Sequence, residues 1–232
     1  MIKTGIFGTS YIVNEARRKM VRLWIELAVR LNPGFPIAIV DSASPFPVPD
    51  VHGVEIIQLG DNVGHLAGGG QDGWGRAFCA GLQWAIDRQL NFCAALDTDI
   101  LFCRQIGPVF DQMRIAGWKA AMPAGDTYPW PENGLCFFDV EWLKQTGFIG
   151  RYNWAAMRAG MIPEWHCKDI CGRDLTILPY RGRRNDNGEV TVGNLEKLYP
   201  SGCDWLTHCV DPEPYHTLLD MNGLSDLKGF VP

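Results

Sequence analysis

Apolar positions in the first half of the chain alternate between short continuous runs and stripes with helical spacing. Each continuous run predicts a strand, at residues 3–7, 37–40, 54–59 and 92–96. Apolar residues recur every three to four positions around 20–31 and 74–86, which predicts helices with one buried face. Asn14 is expected to cap the first helix and Pro33-Gly34 to end it. This order of elements predicts an α/β fold with an open sheet and right-handed crossovers.

The second half of the chain has a less regular pattern. It predicts a helix at 107–116, strands at 119–122 and 135–138, and helices at 139–146, 152–160 and 168–177. No linker, internal repeat or low-complexity tract divides the sequence. The chain is therefore predicted to form one domain over residues 1–232, with a Rossmann-like mixed sheet flanked by helices.

Charge and hydropathy argue against several classes of protein. The formal net charge is −5 at pH 7, so no extensive nucleic-acid surface is expected. No stretch approaches the roughly 18 uninterrupted apolar residues of a membrane-spanning helix, and the short N-terminal apolar run has no cleavage signature. We therefore expect a cytoplasmic protein without a transmembrane segment. The eight scattered cysteines are then expected to be reduced and mostly buried.

Acidic residues follow three of the predicted strands, at Asp41, Asp61 and Asp97-Thr98-Asp99. Ligands of open α/β sheets bind at the carboxyl ends of the strands. Two carboxylates at i and i+2 of an extended chain point to the same side, and such neighbouring charges beside apolar residues are costly without a cation. Carboxylate oxygens favour Mg²⁺ or Mn²⁺, which in turn bind diphosphate oxygens. Asp97 and Asp99 are thus predicted metal ligands, and a solvated turn is the alternative.

The order of these motifs resembles the nucleotide-diphospho-sugar glycosyltransferases that have the glycosyltransferase-A fold, in a family-2-like form. The matching features are Thr9-Ser10-Tyr11, Asp41, Asn62-Val63-Gly64 and Asp97-Thr98-Asp99, each in the expected order. The resemblance is one of pattern and covers residues 1–145. It implies a single glycosyltransferase domain, with a nucleotide-sugar-binding half at 1–105 and an acceptor-binding half at 106–232.

The resemblance also implies roles on the donor side of the site. Thr9 and Tyr11 would border the nucleobase, and Asp41 would accept a hydrogen bond from it. Arg76, which follows the glycine-rich loop, would contact the donor. Asp97 would bind the ribose, or the metal through water, and Asp99 would bind the metal directly.

For the acceptor side, the resemblance implies that Trp130 and Asn133 line the acceptor pocket. Transferases of this fold often complete the metal site with a late histidine, and His208 and His216 are both candidates. An inverting reaction requires a carboxylate that deprotonates the acceptor hydroxyl. Asp174, with Asp169 as the alternative, lies where the family places that base, although the usual acid cluster is absent there. A retaining reaction needs no such base, and both stereochemical courses remain open.

The sequence therefore predicts a metal-dependent glycosyltransferase that uses Mn²⁺ or Mg²⁺. The expected partners are a nucleotide-sugar donor, with UDP- and GDP-sugars favoured, and a carbohydrate or other hydroxyl acceptor. Two alternatives remain. A sugar-nucleotide-forming nucleotidyltransferase uses a similar sheet, but its longer glycine-rich turn is not found after Gly8-Thr9-Ser10. A non-catalytic carbohydrate-binding protein of the same fold is the other.

Overall fold

A computed structural model describes most of the chain. The described residues are 2–64, 72–123, 131, 134–157, 161–178, 206–208 and 212–232, with the backbone alone for 206–208 and 212–214. The sequence-predicted residues Trp130 and Asn133 lie outside this set, as does the side chain of His208.

Strands and helices alternate through the first half of the fold. The strands are β1 (Thr4–Ser10), β2 (Ile37–Asp41), β3 (Val54–Gln58), β4 (Phe92–Asp97), β5 (Ile100–Phe102), β6 (Ala120–Pro123), β7 (Leu135–Asp139), β8 (Leu175–Leu178) and β9 (Leu206–His208). The α-helices are α1 (Glu15–Leu31), α2 (Gly73–Asp87), α3 (Gly107–Ala116), α4 (Val140–Thr146), α5 (Phe148–Tyr152), α6 (Pro163–Cys171) and α7 (Pro212–Met221). Short 3₁₀ turns cover Trp154–Ala156, Gly172–Asp174 and Ser225–Phe230.

The central sheet is mixed, as the sequence predicts. Its seven strands lie in the order β3-β2-β1-β4-β7-β6-β8. The first four strands of that order are parallel, whereas β7 runs antiparallel to both β4 and β6. A separate two-stranded antiparallel sheet joins β5 to β9. The order β2-β1-β4 makes the carboxyl ends of β1 and β4 a topological switch point, where open sheets bind ligands.

Two hydrophobic cores cover the two faces of the sheet. One packs α1, α3 and α7 against it, with fully buried Trp24 edge-on to Phe102. The other packs α2, α4, α5 and α6, with Phe78 at the centre of an aromatic cluster. The strands that carry the predicted site are thus held from both sides. Within the described ranges, no helix has the length and apolar character needed to cross a bilayer.

Most of the boundaries predicted for the first half of the chain hold, but β1 extends to Ser10 rather than ending at Phe7, and β5 is not among the predicted strands. Asn14 caps α1, its side-chain oxygen accepting from the backbone N–H of Arg17 at 2.8 Å. Two later predictions are wrong. The helix expected at 152–160 does not form over its described residues, since α5 ends at Tyr152 and Asn153 adopts a left-handed φ of 40°. The helix expected at 168–177 begins instead at Pro163 and ends at Cys171, and the residues after it enter β8.

Candidate functional site

A cavity of about 540 Å³ opens at the carboxyl ends of β1 and β4. Its walls include the end of β1 and the loop after it, the first turns of α1, α2 and α6, and the two aspartates of the Asp-x-Asp motif. The polar residues that line it are Thr9, Ser10, Tyr11, Arg17, Ser42, Asn62, Trp74, Asp97, Asp99 and Glu164. The cavity therefore lies at the switch point that the sheet topology predicts.

Asp97 is held rigidly at the end of β4. Its Oδ1 atom accepts the Thr9 hydroxyl at 2.7 Å and the indole N–H of Trp74 at 2.8 Å. Trp74 is itself fixed by stacking on Phe78, with ring centroids 4.7 Å apart. The backbone N–H of Asp97 donates to the carbonyl of Gly134 at 2.9 Å. These contacts restrict the Asp97 side chain to a rotamer in which its carboxyl group lines the cavity.

Asp99 lies in a turn between β4 and β5, so the extended conformation expected across the motif is wrong. The turn nevertheless keeps both aspartates on the cavity wall. Asp99 Oδ2 lies 3.1 Å from the Arg17 guanidinium, and its backbone carbonyl accepts the hydroxyl of buried Tyr215 at 3.1 Å. The Thr98 hydroxyl donates to the carbonyl of Thr9 at 2.8 Å, which locks the turn against β1.

Two glycines shape the wall of the cavity. A Cβ at Gly73, the first residue of α2, would collide with the backbone carbonyl of Gly64, to which Gly73 also donates. A Cβ at Gly134 would overlap the side chain of Ile100 and approach Asp97 Oδ2 to 3.7 Å. Glycine fits both positions because neighbouring atoms come too close for a Cβ, and at Gly134 it also leaves room beside the Asp97 carboxylate.

A third carboxyl group reaches the same cavity from α6. Glu164 lies in the first turn of this helix, which starts at Pro163. Burial raises the pKa of Glu164, and the charge of Asp72 raises it further. Asp72 is buried where it caps α2, accepting from the backbone N–H of Gly75 at 2.9 Å and from the Tyr152 hydroxyl at 2.7 Å. A partly desolvated acid with a raised pKa in a cleft suits a proton-transfer group.

The structure brings four of the sequence-predicted site residues to this cavity: Thr9, Tyr11, Asp97 and Asp99. Tyr11 is 42% exposed, so its ring is available to a planar ligand. Sequence reasoning missed Arg17, Trp74 and Glu164. For Arg17 and Trp74 the available signal was topological, since the first turn of a helix that follows a parallel strand lies above the carboxyl edge of the sheet. Glu164 lies on α6, which follows another helix and a 3₁₀ turn, so this signal does not apply to it.

Asp41 does not line the cavity, which corrects the expectation that it faces the nucleobase. It is 1% exposed and accepts from the Ser10 hydroxyl at 3.0 Å, from Gln58 at 2.7 Å and from the backbone N–H of Ser44 at 2.9 Å. The Ser44 hydroxyl donates to it as well. Asp41 therefore ties together the ends of β1, β2 and β3, and Ser10 rather than Asp41 reaches the cavity.

Three further predicted residues lie outside the described lining of the cavity. Arg76 forms an ion pair with Asp61 and lies over the Trp154 ring at 5.3 Å, so it fixes the loop that carries Asn62. Asp174 lies beyond the end of α6 and accepts the indole N–H of Trp142 at 3.0 Å. Its assignment as the base stays a prediction. His216 lies on α7, next to Tyr215, whose hydroxyl donates to the backbone carbonyl of Asp99.

The backbone of His208 is placed by strand pairing. In the register of β5 with β9, residue 208 lies opposite Ile100, the residue that follows Asp99. Of the two late histidines, His208 is therefore the one whose backbone lies next to the Asp-x-Asp turn.

The described residues provide a partial ligand set for a hard divalent cation. No cluster of three or more His, Cys, Asp or Glu side chains forms among them. Asp97 and Asp99 nevertheless line one cavity. The Arg17 guanidinium forms an ion pair with Asp99, so a positive charge already lies beside this carboxylate. Magnesium-like ions commonly take one or two carboxylates and complete their shell with substrate phosphates and water. The donor chemistry fits Mg²⁺ or Mn²⁺ on those terms.

Solved structures with a similar fold include three glycosyltransferases. Mouse xyloside xylosyltransferase 1 matches with a TM-score of 0.50 at 11% identity, over 76% of this chain and 84% of that one. The glycosyltransferase GlyE of Streptococcus pneumoniae matches with 0.51 at 9% identity, over 77% and 46%. The bifunctional glycosyltransferase WbbM matches with 0.54 at 10% identity, over 96% and 44%. No family model matches the sequence, and no curated protein matches it.

These likenesses confirm the predicted fold, a mixed sheet of the glycosyltransferase-A type. The chain spans less than half the length of GlyE and of WbbM. At identities of 9–11% the comparison relates folds, so the activity of this chain rests on its own cavity.

Proposed function

We propose that this chain is a metal-dependent glycosyltransferase that moves a sugar from a nucleoside diphosphate to a hydroxyl acceptor. One observation carries the proposal: Asp97 and Asp99 line the cavity at the switch point between β1 and β4. A pair of carboxylates at this place suits a cation that holds a diphosphate. A cavity of about 540 Å³ is within the size range of small-molecule sites.

The donor would lie along the carboxyl edge of the sheet. Tyr11 offers an exposed ring for the base, and Ser42 offers a hydroxyl group on the same cavity wall. The Ser10 hydroxyl already donates to Asp41. The Thr9 hydroxyl donates its hydrogen to Asp97. Its part in this arrangement is therefore to orient the carboxyl group rather than to donate to the nucleotide.

Asp99 and Asp97 would hold the divalent cation, with His208 as a candidate third ligand. When bound there, Mn²⁺ or Mg²⁺ supplies Lewis-acid neutralisation of the charge that grows on the leaving diphosphate. Hydrogen bonds from Thr9 and Trp74 fix the carboxyl group of Asp97 before the donor arrives, so this ligand needs little reorganisation as that charge develops.

Glu164, which lines the cavity beside Asp97 and Asp99, would bind the acceptor hydroxyl. In the reaction, the bond between the anomeric carbon and the diphosphate oxygen breaks, and its electron pair stays on the diphosphate. The acceptor oxygen bonds to the anomeric carbon and loses its proton. In an inverting reaction Glu164 takes that proton directly, and its raised pKa brings it closer to the operating range of a general base.

A panel of nucleotide sugars tests the proposal. The protein is incubated with UDP- and GDP-sugars and Mn²⁺, and release of the nucleoside diphosphate is measured with and without chelator. We expect release that depends on the metal with at least one donor, and Asp99→Asn should lower it by at least about 100-fold.

Asp111→Asn is the matched control, because Asp111 is an exposed acid on α3 whose ion-pair distance to Arg114 is 3.9 Å. It should leave turnover unchanged. Equal turnover in both variants would contradict the site. Release of pyrophosphate from a nucleoside triphosphate and a sugar phosphate would instead identify a nucleotidyltransferase.

A further inference from the structure

The cavity contains a built-in positive charge. Three carboxyl groups line it, from Asp97, Asp99 and Glu164, and Arg17 is the one cationic side chain among the described lining residues. Its Nη2 atom lies 3.1 Å from Asp99 Oδ2, and the two side chains are 27% and 26% exposed. Arg17 thus already lies on the carboxylate that the proposed metal requires.

The position of Arg17 is fixed by the local structure. It lies in the first turn of α1, and its backbone N–H donates to the capping oxygen of Asn14 at 2.8 Å. Its other terminal nitrogen, Nη1, lies 3.2 Å from the sulfur of Met20, which leaves the guanidinium face toward the cavity. A guanidinium fork matches phosphate oxygens as well as it matches a carboxylate. A small rotation of the side chain can therefore exchange one anion for the other.

We propose that Arg17 is an exchangeable counter-ion, which neutralises Asp99 in the free protein and moves to the donor diphosphate when the divalent cation takes its place on Asp99. This inference rests on the proposed function and assigns a donor-binding residue that sequence reasoning missed. Arg17 competes with the cation while no donor is present. It cooperates with the cation once a diphosphate provides a second anion.

Arg17→Gln should consequently shift two affinities in opposite directions. Mn²⁺ alone should bind about fivefold more tightly, since its competitor for Asp99 is gone. Binding of UDP or GDP in the presence of saturating Mn²⁺ should weaken by about tenfold or more, because a charge-assisted contact to the phosphates is lost. A purely structural role would lower both affinities together.

The experiment compares the full chain with Arg17→Gln and with Arg18→Gln as the matched control. Arg18 occupies the same turn of α1 but is directed away, to Glu15 at 3.4 Å and to the carbonyl of Pro47 at 3.2 Å. Free Mn²⁺ is counted by electron paramagnetic resonance, and UDP and GDP binding are measured by calorimetry. Circular dichroism confirms that each variant is folded.

The expected result is opposite shifts for Arg17→Gln and neither shift for Arg18→Gln. In an Asp99→Asn background, Arg17→Gln should no longer tighten Mn²⁺ binding, since the site of competition is gone. Unchanged or weaker Mn²⁺ binding by Arg17→Gln overturns the counter-ion, even where the wild-type protein binds nucleotide. If the wild-type protein binds neither UDP nor GDP with Mn²⁺, the proposed function itself fails, and the exchange with it.

Discussion

The hydroxyl oxygen of Thr9 lies 2.7 Å from Oδ1 of Asp97, and the same two residues are register partners on the parallel strands β1 and β4. The side-chain hydrogen bond therefore closes the switch point of the sheet at the level where the cavity begins. Trp74 completes the arrangement from the first turn of α2. The carboxyl group of Asp97 is positioned by three elements that are far apart in the sequence.

Removing the indole donor should test that positioning, although the smaller ring also widens the cavity beside Asp97. Trp74→Phe keeps an aromatic ring against Phe78 but loses the hydrogen bond to Asp97. We expect kcat/KM to fall by about tenfold, the loss of one hydrogen bond to a charged group. Steady-state kinetics with the active donor provides the measurement.

Trp84→Phe is the matched control on the same helix. The indole N–H of Trp84 makes no hydrogen bond within the described residues, and the ring lies in the core. This substitution should lower stability through lost packing and leave kcat/KM unchanged. Equal effects of both substitutions on kcat/KM would mean that Trp74 acts through packing alone.

Glu164 should show opposite effects on activity and stability. Because burial raises its pKa, the folded state binds its proton more tightly than the unfolded state, and stability falls as pH rises above the ordinary value of 4.5. Glu164→Gln should therefore raise the melting temperature at pH 7, and this gain should vanish below pH 4.5. Turnover should fall by about 100-fold if Glu164 is the proton acceptor.

Glu141 provides the control, because it lies in the first turn of α4 and its pKa is lowered, first of all by the hydrogen bond from Lys144. Its stabilising effect is present above the unfolded pKa and is lost as pH falls through the folded one. Glu141→Gln should slightly lower the melting temperature at pH 7 and leave turnover unchanged. Thermal scans from pH 4 to pH 8 distinguish the two glutamates. A lower melting temperature for Glu164→Gln at pH 7 would contradict the assigned burial.

The close approach at Gly73 predicts a local packing defect. An added methyl group would meet the backbone carbonyl of Gly64, which cannot move aside as a side-chain end could. Gly73→Ala should therefore cost about 1–3 kcal/mol of stability and displace the cavity wall. Gly150→Ala on α5 meets nothing within 4 Å, so it should be neutral or stabilising. Urea unfolding of both variants compares the two costs.

The register of β5 with β9 distinguishes the two late histidines. Residue 208 pairs with Ile100 and so lies next to the Asp-x-Asp turn, whereas His216 lies on α7 outside the described lining of the cavity. His208→Ala should weaken Mn²⁺ binding by at least about tenfold, and His216→Ala should leave it unchanged. Titration of Mn²⁺ with each variant provides the measurement. The reverse order would place the third ligand on α7.

Secondary structure is easier to predict from the sequence in the first half of the chain than in the second. The parallel strands and α1 are predictable because continuous apolar runs, the Asn14 cap and Pro33-Gly34 all indicate the same boundaries. The helix predicted at 168–177 is correct only up to Cys171, because β8, at the edge of the sheet, is only partly buried and has no clear strand alternation. Local pattern does not separate such a strand from the end of α6.

Tertiary pairing accounts for what the sequence could not show at the site. Arg17 and Asp99 are 82 positions apart, and nothing local to either residue indicates their ion pair. The same holds for Asp41, which lies at the end of β2 as expected, but whose carboxylate oxygens accept hydrogen bonds from Ser10, Ser44 and Gln58. Position at a strand end predicts which residues come near the site. It does not predict which of these residues turn their side chains toward the cavity.

The most direct measurement is the anomalous diffraction of manganese in crystals grown with Mn²⁺ and UDP or GDP. We expect one manganese peak in the cavity, bound by the carboxylate of Asp99 and by diphosphate oxygens, with metal–oxygen distances of about 2.0–2.2 Å. A nucleotide bound in this cavity with no metal beside Asp97 or Asp99, or a manganese peak elsewhere on the protein, would contradict it.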